Sequence, residues 1–149
     1  MESQASMTNA FTFGKFQQLH NGHIALLEEA LKDHEVVYVG LSTAAKNRPA
    51  EERIRAFQEV ARIKGWTGRV RFVLNDNMWK AYESVAEPCD IVLGEDRERT
   101  GVRLAAERNT RYIKVKRLTS STEVRRRIAA GEDLSDIVPA SVIPLLGVG

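Results

Sequence analysis

Two histidines and a glycine are the residues best placed to do chemistry. His20 and His23 lie three positions apart, with Gly22 between them, in Gly14-Lys15-Phe16-Gln17-Gln18-Leu19-His20-Asn21-Gly22-His23. At helical geometry residues at this spacing share a face, so both imidazoles can reach one ligand. Gly22 lets a ligand or another backbone come close. The segment follows an apolar β-like run, Ala10 to Phe13, and leads into Ile24, Leu27 and Leu31 at helical spacing. A strand therefore hands over to a helix N-terminus, whose free N–H groups and positive dipole end favour an anion. A strand-turn-helix with incidental histidines satisfies the same pattern.

A second stretch has related character. Ser120, Ser121 and Thr122 precede Glu123, Val124 and Arg125. Ser120 with Glu123 reads as a capping box, so a helix starts here, with Val124 and Ile128 inward and Gly131 as its stop. Three hydroxyls and an arginine at a helix start form a second phosphate cradle. A well-capped surface helix with an arginine-rich face is the plainer reading.

The elements that must position these residues alternate along the chain. Strands are expected at 10–13, 36–39, 70–74, 91–94 and 112–115, with Gly40 breaking the second. Helices are expected at about 21–32, 50–64, 78–85 and 102–108, and again after Ser120. Alternation of this kind builds βαβ units around a parallel sheet. The fold class is therefore α/β: a Rossmann-like open parallel five-stranded sheet with helices on both faces. Ligands bind such sheets outside the carboxyl ends of the strands. The turns after the first and fifth strands both lie on that edge, and two cradles facing one crevice suit a triphosphate.

Composition bounds the rest. The 149 residues, 43% hydrophobic and 28% charged, suit one globular domain over 10–149 behind a loose tail at 1–9. A net charge of +2 gives no case for nucleic acid or a membrane surface. There is no apolar run of membrane-spanning length and no visible signal peptide, so a cytoplasmic location is expected. The single cysteine, Cys89, excludes an internal disulfide and reads as a buried thiol. Trp66, beside Gly65, reads as packing, and His34, among charged residues at a helix end, as solvated.

The order strand, glycine, aromatic, HxGH and amphipathic helix resembles the nucleotide-binding signature of the nucleotidylyltransferase superfamily, which also includes class I aminoacyl-tRNA synthetases. There the paired histidines hold the phosphates of a nucleoside triphosphate. The present length leaves no room for the anticodon-binding part of a synthetase. Within the superfamily, Ser120 to Arg127 looks like the second signature of the nicotinamide mononucleotide adenylyltransferases, especially the archaeal type. Leu134 to Val142 looks like that family's closing helices. Gly40 to Ala44 resembles its Gly-x-Ser-Ala turn. Pro49 with Glu52-Arg53 resembles its Pro-Phe-Thr-x-x-Glu-Arg start. Asp76-Asn77-Met78-Trp79 resembles a compressed Asp-x-x-x-Asn-x-x-Trp segment.

There are departures. Lys15 stands where the family usually has arginine, which keeps the charge but loses the bidentate fork. Gln18 replaces a proline. The loop from Lys46 to Pro49 is short, and Gly94-Glu95-Asp96 stands where Asn-Pro is usual. Cytidylyltransferases and pantetheine-phosphate enzymes usually carry Asp after the first aromatic, where this chain has Gln17. Those two branches, and a module that binds ATP without turnover, are the competing readings.

The resemblance implies transfer of AMP from ATP to the phosphate of nicotinamide mononucleotide, giving NAD and pyrophosphate. It implies His20, His23, Lys15 and Arg125 as catalytic residues, with His23 nearest the α-phosphate. ATP would also be met by Phe13, Gly14, Gly22, Gly94, Ser120, Ser121 and Thr122. The acceptor would meet Ser42, Arg48, Arg53, Asn77 and Trp79. A cationic nicotinamide ring on Trp79 would gain about 0.5 to 2 kcal/mol. Trp79 reads equally as an apolar helix-face residue, and Arg53 equally as a solvated or salt-bridged one. Mg²⁺ would ride mainly on the phosphates, keeping several waters. The family's frequent assembly carries over as an expected homo-oligomer.

Overall fold

A computed structural model of the chain describes residues 8–44 and 47–146. Residues 1–7 of the expected tail, and Lys46 of the short loop, lie outside the described residues. The elements follow in the order β1 (Asn9–Gly14), α1 (Asn21–Asp33), β2 (Val36–Leu41), α2 (Ala50–Lys64), β3 (Val70–Leu74), α3 (Met78–Glu83), β4 (Asp90–Gly94), α4 (Glu98–Glu107), β5 (Tyr112–Val115) and α5 (Ser121–Ala130). All described strands pair in parallel, in the order β3-β2-β1-β4-β5. This is the open Rossmann-like α/β sheet that the alternation predicts.

Successive strand side chains point to opposite faces, and two apolar layers result. Ala10, Val37, Val39 and Val92 face Leu27 of α1, Phe57 of α2 and Val124 of α5. Phe11, Phe13, Ile91 and Leu93 face Tyr82 of α3 and Leu104 of α4. Each fully buried side chain of this size stabilises the fold by about 1.5–3 kcal/mol.

Several boundaries differ from expectation. The tail ends earlier, because Asn9 already belongs to β1 and the Thr8 carbonyl accepts from the Glu35 N–H at 2.8 Å. Gly40 does not break β2. It pairs with Phe13, and the Phe13 ring covers the space that a Cβ at position 40 would need. Helix α4 starts at Glu98, not near Val102, after a 3-10 turn over Glu95–Arg97. Glu98 in its first turn complements the helix dipole. The closing segment forms turns and a 3-10 helix at Ile143–Leu145 in place of the expected helices. Pro139 and Pro144 each remove a donor there, although Val138 and Val142 are fully buried.

His34 is a correction. The ring is buried, with Nδ1 2.7 Å from the Ala30 carbonyl and Nε2 2.8 Å from Asp90, which Arg111 also holds. The polar neighbours in sequence gave no hint of a partner 56 positions away. Cys89 is a buried thiol, and burial pushes it up to about 12. Trp66 packs against the core.

One feature of the sheet positions the site. β1 and β2 pair over six positions, from Asn9↔Val36 to Gly14↔Leu41. β1 and β4 pair only at Ala10↔Asp90 and Phe11↔Ile91. The strand order reverses between these two strands, so their carboxyl ends part there. That is where an open α/β sheet forms its crevice.

Candidate functional site

The crevice holds a cavity of about 330 Å³. The β1–α1 turn forms one wall. Phe16 has a left-handed backbone, φ 48°, and its ring packs on Gly14, on His23 and on Phe57. Strain of this kind gathers at functional sites. His20 caps α1: its Nδ1 accepts the Gly22 N–H at 3.1 Å. His23 answers from inside the helix, its Nδ1 accepting the His20 N–H at 3.2 Å. The two rings stack with centroids 3.7 Å apart. A Cβ at Gly22 would stand 2.9 Å from the His20 ring, so glycine is required by this fold-back.

With both Nδ1 atoms accepting, the neutral rings carry their protons on Nε2. Burial, then the nearby Arg117, lowers His20 to about 4. Burial, then His20, Arg97 and Arg117, holds His23 well below the ordinary histidine range. At neutral pH the pair therefore offers two uncharged N–H donors. The charge comes from elsewhere: Lys15, Arg97, Lys116 and Arg117 all line the cavity, against Asp96 alone. Asp96 pairs with Arg117 at 3.1 Å. The arrangement can bind a polyanion and stabilise charge that develops on it.

The other wall is the β5–α5 turn. Thr119, Ser120 and Ser121 line the cavity together with the histidines. Ser120 caps α5 by accepting from the Glu123 N–H at 3.1 Å. The expected capping box is half made, because the Glu123 carboxylate turns to Arg126 and Arg127. Thr122 and Arg125 do not line the cavity. Arg125 reaches the buried amide of Gln18 at 3.2 Å and Thr122 Oγ1 at 3.4 Å, which ties the late turn to the early one. Phe13, Gly14, Lys15, Gly22 and Gly94 are lining residues, as are both histidines.

The expected acceptor set is not brought together around this cavity. Ser42 Oγ is buried and accepts from Asn47 at 3.0 Å. Arg48 donates to the carbonyls of Gln17 and Leu145. Arg53, 2% exposed, donates to the carbonyls of Lys15 and Arg48. These guanidiniums brace the β1–α1 turn from behind. Asn77 caps α3, accepting from the N–H groups of Trp79 and Lys80. Trp79 packs on the layer beneath α3, with the Arg103 guanidinium 5.6 Å from its ring centre. Of its two readings, the packing one describes its surroundings here.

The family model of cytidylyltransferase-like proteins matches residues 11–127, from β1 through most of α5. The chain belongs to the cytidylyltransferase-like family. It is similar to the nicotinamide-nucleotide adenylyltransferase of Pyrococcus abyssi, 30% identical over 92% of this chain and 81% of that one. The protein of the same name from Methanolobus tindarius is 27% identical over 94% of this chain and 88% of its own. Two solved structures share the fold. A bifunctional NMN adenylyltransferase/ADP ribose pyrophosphatase from Francisella tularensis superposes with a TM-score of 0.70 at 19% identity, over 93% of this chain and 46% of that one. The Plasmodium falciparum nicotinic acid mononucleotide adenylyltransferase complexed with APC gives 0.69 at 12% identity, over 92% of each chain.

Sequence reasoning missed Arg97, Lys116, Arg117 and Thr119. The usable signal was positional: residues just past the carboxyl ends of β4 and β5 border the crevice of this fold. Among the described residues there is no group of three or more His, Cys, Asp or Glu side chains fit to hold a metal ion.

Proposed function

We propose that the protein transfers AMP from ATP to the phosphate of nicotinamide mononucleotide, giving NAD and pyrophosphate. One observation carries the reading most: His20 and His23, each with Nδ1 accepting a backbone N–H, line one cation-rich cavity together with Ser120 and Ser121 at the α5 N-terminus. The archaeal relatives named nicotinamide-nucleotide adenylyltransferase support the choice of branch.

The chemistry is balanced without a general base. An ionised oxygen of the acceptor phosphate attacks the α-phosphorus of ATP. The new P–O bond forms as the bond to the β-phosphate oxygen breaks, and pyrophosphate leaves with the electron pair. No proton moves. Catalysis is then positioning plus stabilisation of charge. His23 Nε2–H donates to the α-phosphate and His20 Nε2–H to its neighbour. Lys15 and the α5 N-terminus, with Ser120 and Ser121, take the β- and γ-phosphates. Arg125 and Thr122 join them once Arg125 leaves Gln18. Mg²⁺, when bound on the triphosphate, would supply further charge neutralisation. Trp79 and Asn77 can serve the acceptor only if α3 moves toward the cavity. A cytoplasmic location goes with the reading.

The test is a panel: purified protein, Mg²⁺, each nucleoside triphosphate, several phosphorylated acceptors, and pyrophosphate release as readout. ATP with nicotinamide mononucleotide should be the productive pair. Turnover with CTP and an alcohol phosphate alone would move the protein to another branch. ATP binding with no turnover on any acceptor would make it a nucleotide-binding module.

A further inference from the structure

The parting of β1 and β4 leaves a backbone acceptor at the mouth of the crevice. Their ladder stops at Phe11↔Ile91, so the Phe13 carbonyl has no strand partner on the β4 side. Arg97, from the 3-10 turn after β4, donates one N–H to that carbonyl. No ion pair holds its guanidinium among the described residues, and Arg97 lines the cavity. A guanidinium has five donors, so most of them stay available. Of the other lining cations, Arg117 is paired with Asp96, while Lys15 and Lys116 are exposed point charges on flexible stems. Beneath the same mouth, Thr12 is fully buried and lines the cavity, yet its hydroxyl has no hydrogen-bond partner among the described residues.

We infer that Arg97 is a catalytic residue: anchored by the Phe13 carbonyl, its guanidinium contacts the α-phosphate beside His23 and stabilises the charge carried there during adenylyl transfer. This rests on the proposed adenylyl transfer. The arginine forms no covalent bond to substrate. Its part is to hold non-bridging oxygens while the acceptor oxygen enters and pyrophosphate leaves. The proximity to His23 is visible in the electrostatics, since Arg97 contributes to keeping that ring neutral. A cation fixed by backbone is preorganised and needs no rearrangement in the transition state.

The experiment compares the unaltered chain with R97A and R97K. R97A should lose on the order of 100-fold in kcat, as for removal of one transition-state donor, with a smaller change in the KM for ATP. R97K should fall between them. Added guanidinium ion should restore part of the R97A rate. With α-thio-ATP, one diastereomer should slow the unaltered chain, and R97A should lose most of that discrimination. A kcat for R97A within twofold of the unaltered chain would overturn the inference. So would a lower rate that neither guanidinium nor lysine rescues, with the thio discrimination intact, because Arg97 would then only brace Phe13. Failure of the unaltered chain to turn over any acceptor overturns the functional reading instead. ATP titration then decides Arg97: a tenfold or greater loss of affinity in R97A supports the contact, and equal affinity removes it.

Discussion

The backbone N–H of His20 donates to Nδ1 of His23 at 3.2 Å while the two rings stack 3.7 Å apart. His20 therefore both caps the helix and is held by it. Each ring has its Nδ1 spent on backbone, so the fold selects the tautomer that presents Nε2–H. Both rings should stay neutral from pH 8 down to about 5.5, since His20 sits at about 4 and His23 lies well below the ordinary value. Long-range ¹H–¹⁵N spectra of ring-labelled protein should show the Nε2–H tautomer throughout. A ring titrating near 6.5, or carrying its proton on Nδ1, would contradict this.

The same shift predicts the pH dependence of stability. When folding lowers a histidine pKa, the unfolded chain binds the extra proton between the two values, so stability rises with pH across that window. Here the window runs from about 4 to 6.5, the ordinary histidine value. The urea midpoint should fall as pH is lowered from 7 to 4.5, and the H20N/H23N double variant should fall less steeply. Identical slopes would show that the two rings are not the titrating groups.

Gly22→Ala separates stability from function. Alanine is favoured over glycine in a helix by up to about 1 kcal/mol. Its Cβ would stand 2.9 Å from the His20 ring, within a stack that has little room to shift. The melting temperature should hold or change by a few degrees while turnover drops at least tenfold. Full turnover would show that the ring has room after all.

The sheet and its helices were legible because periodicity and β-branched runs report burial directly. Both turns were legible because glycine, histidine and hydroxyl residues there mark helix starts, where His20 and Ser120 cap free N–H groups. The arginines were harder. Arg48 and Arg53 have the charge of a phosphate site, but their donors go to carbonyls of a loop more than 30 positions away. Arg97 and Arg117 sit in unremarkable polar stretches and gain their meaning from the gap between β1 and β4. Asn77 and Trp79 match a family segment in type, while their local bonds are those of a helix cap and a packed ring.

Arg53 gives the remaining prediction. The residue is 2% exposed, and its guanidinium holds the Lys15 carbonyl at 2.8 Å and the Arg48 carbonyl at 2.9 Å. Removing it leaves two acceptors without a partner in a place water reaches poorly, at about 1–3 kcal/mol each. Arg53→Ala should therefore lower stability by about 2–6 kcal/mol in urea unfolding. Arg53→Lys should recover only part of that, since one ammonium cannot span both carbonyls with a planar fork. If Arg53 instead binds the acceptor phosphate directly, the outcome differs: the acceptor KM rises while stability and the KM for ATP hold. A brace behind Lys15 predicts the reverse order, with stability lost first and both substrates affected together through the loosened turn.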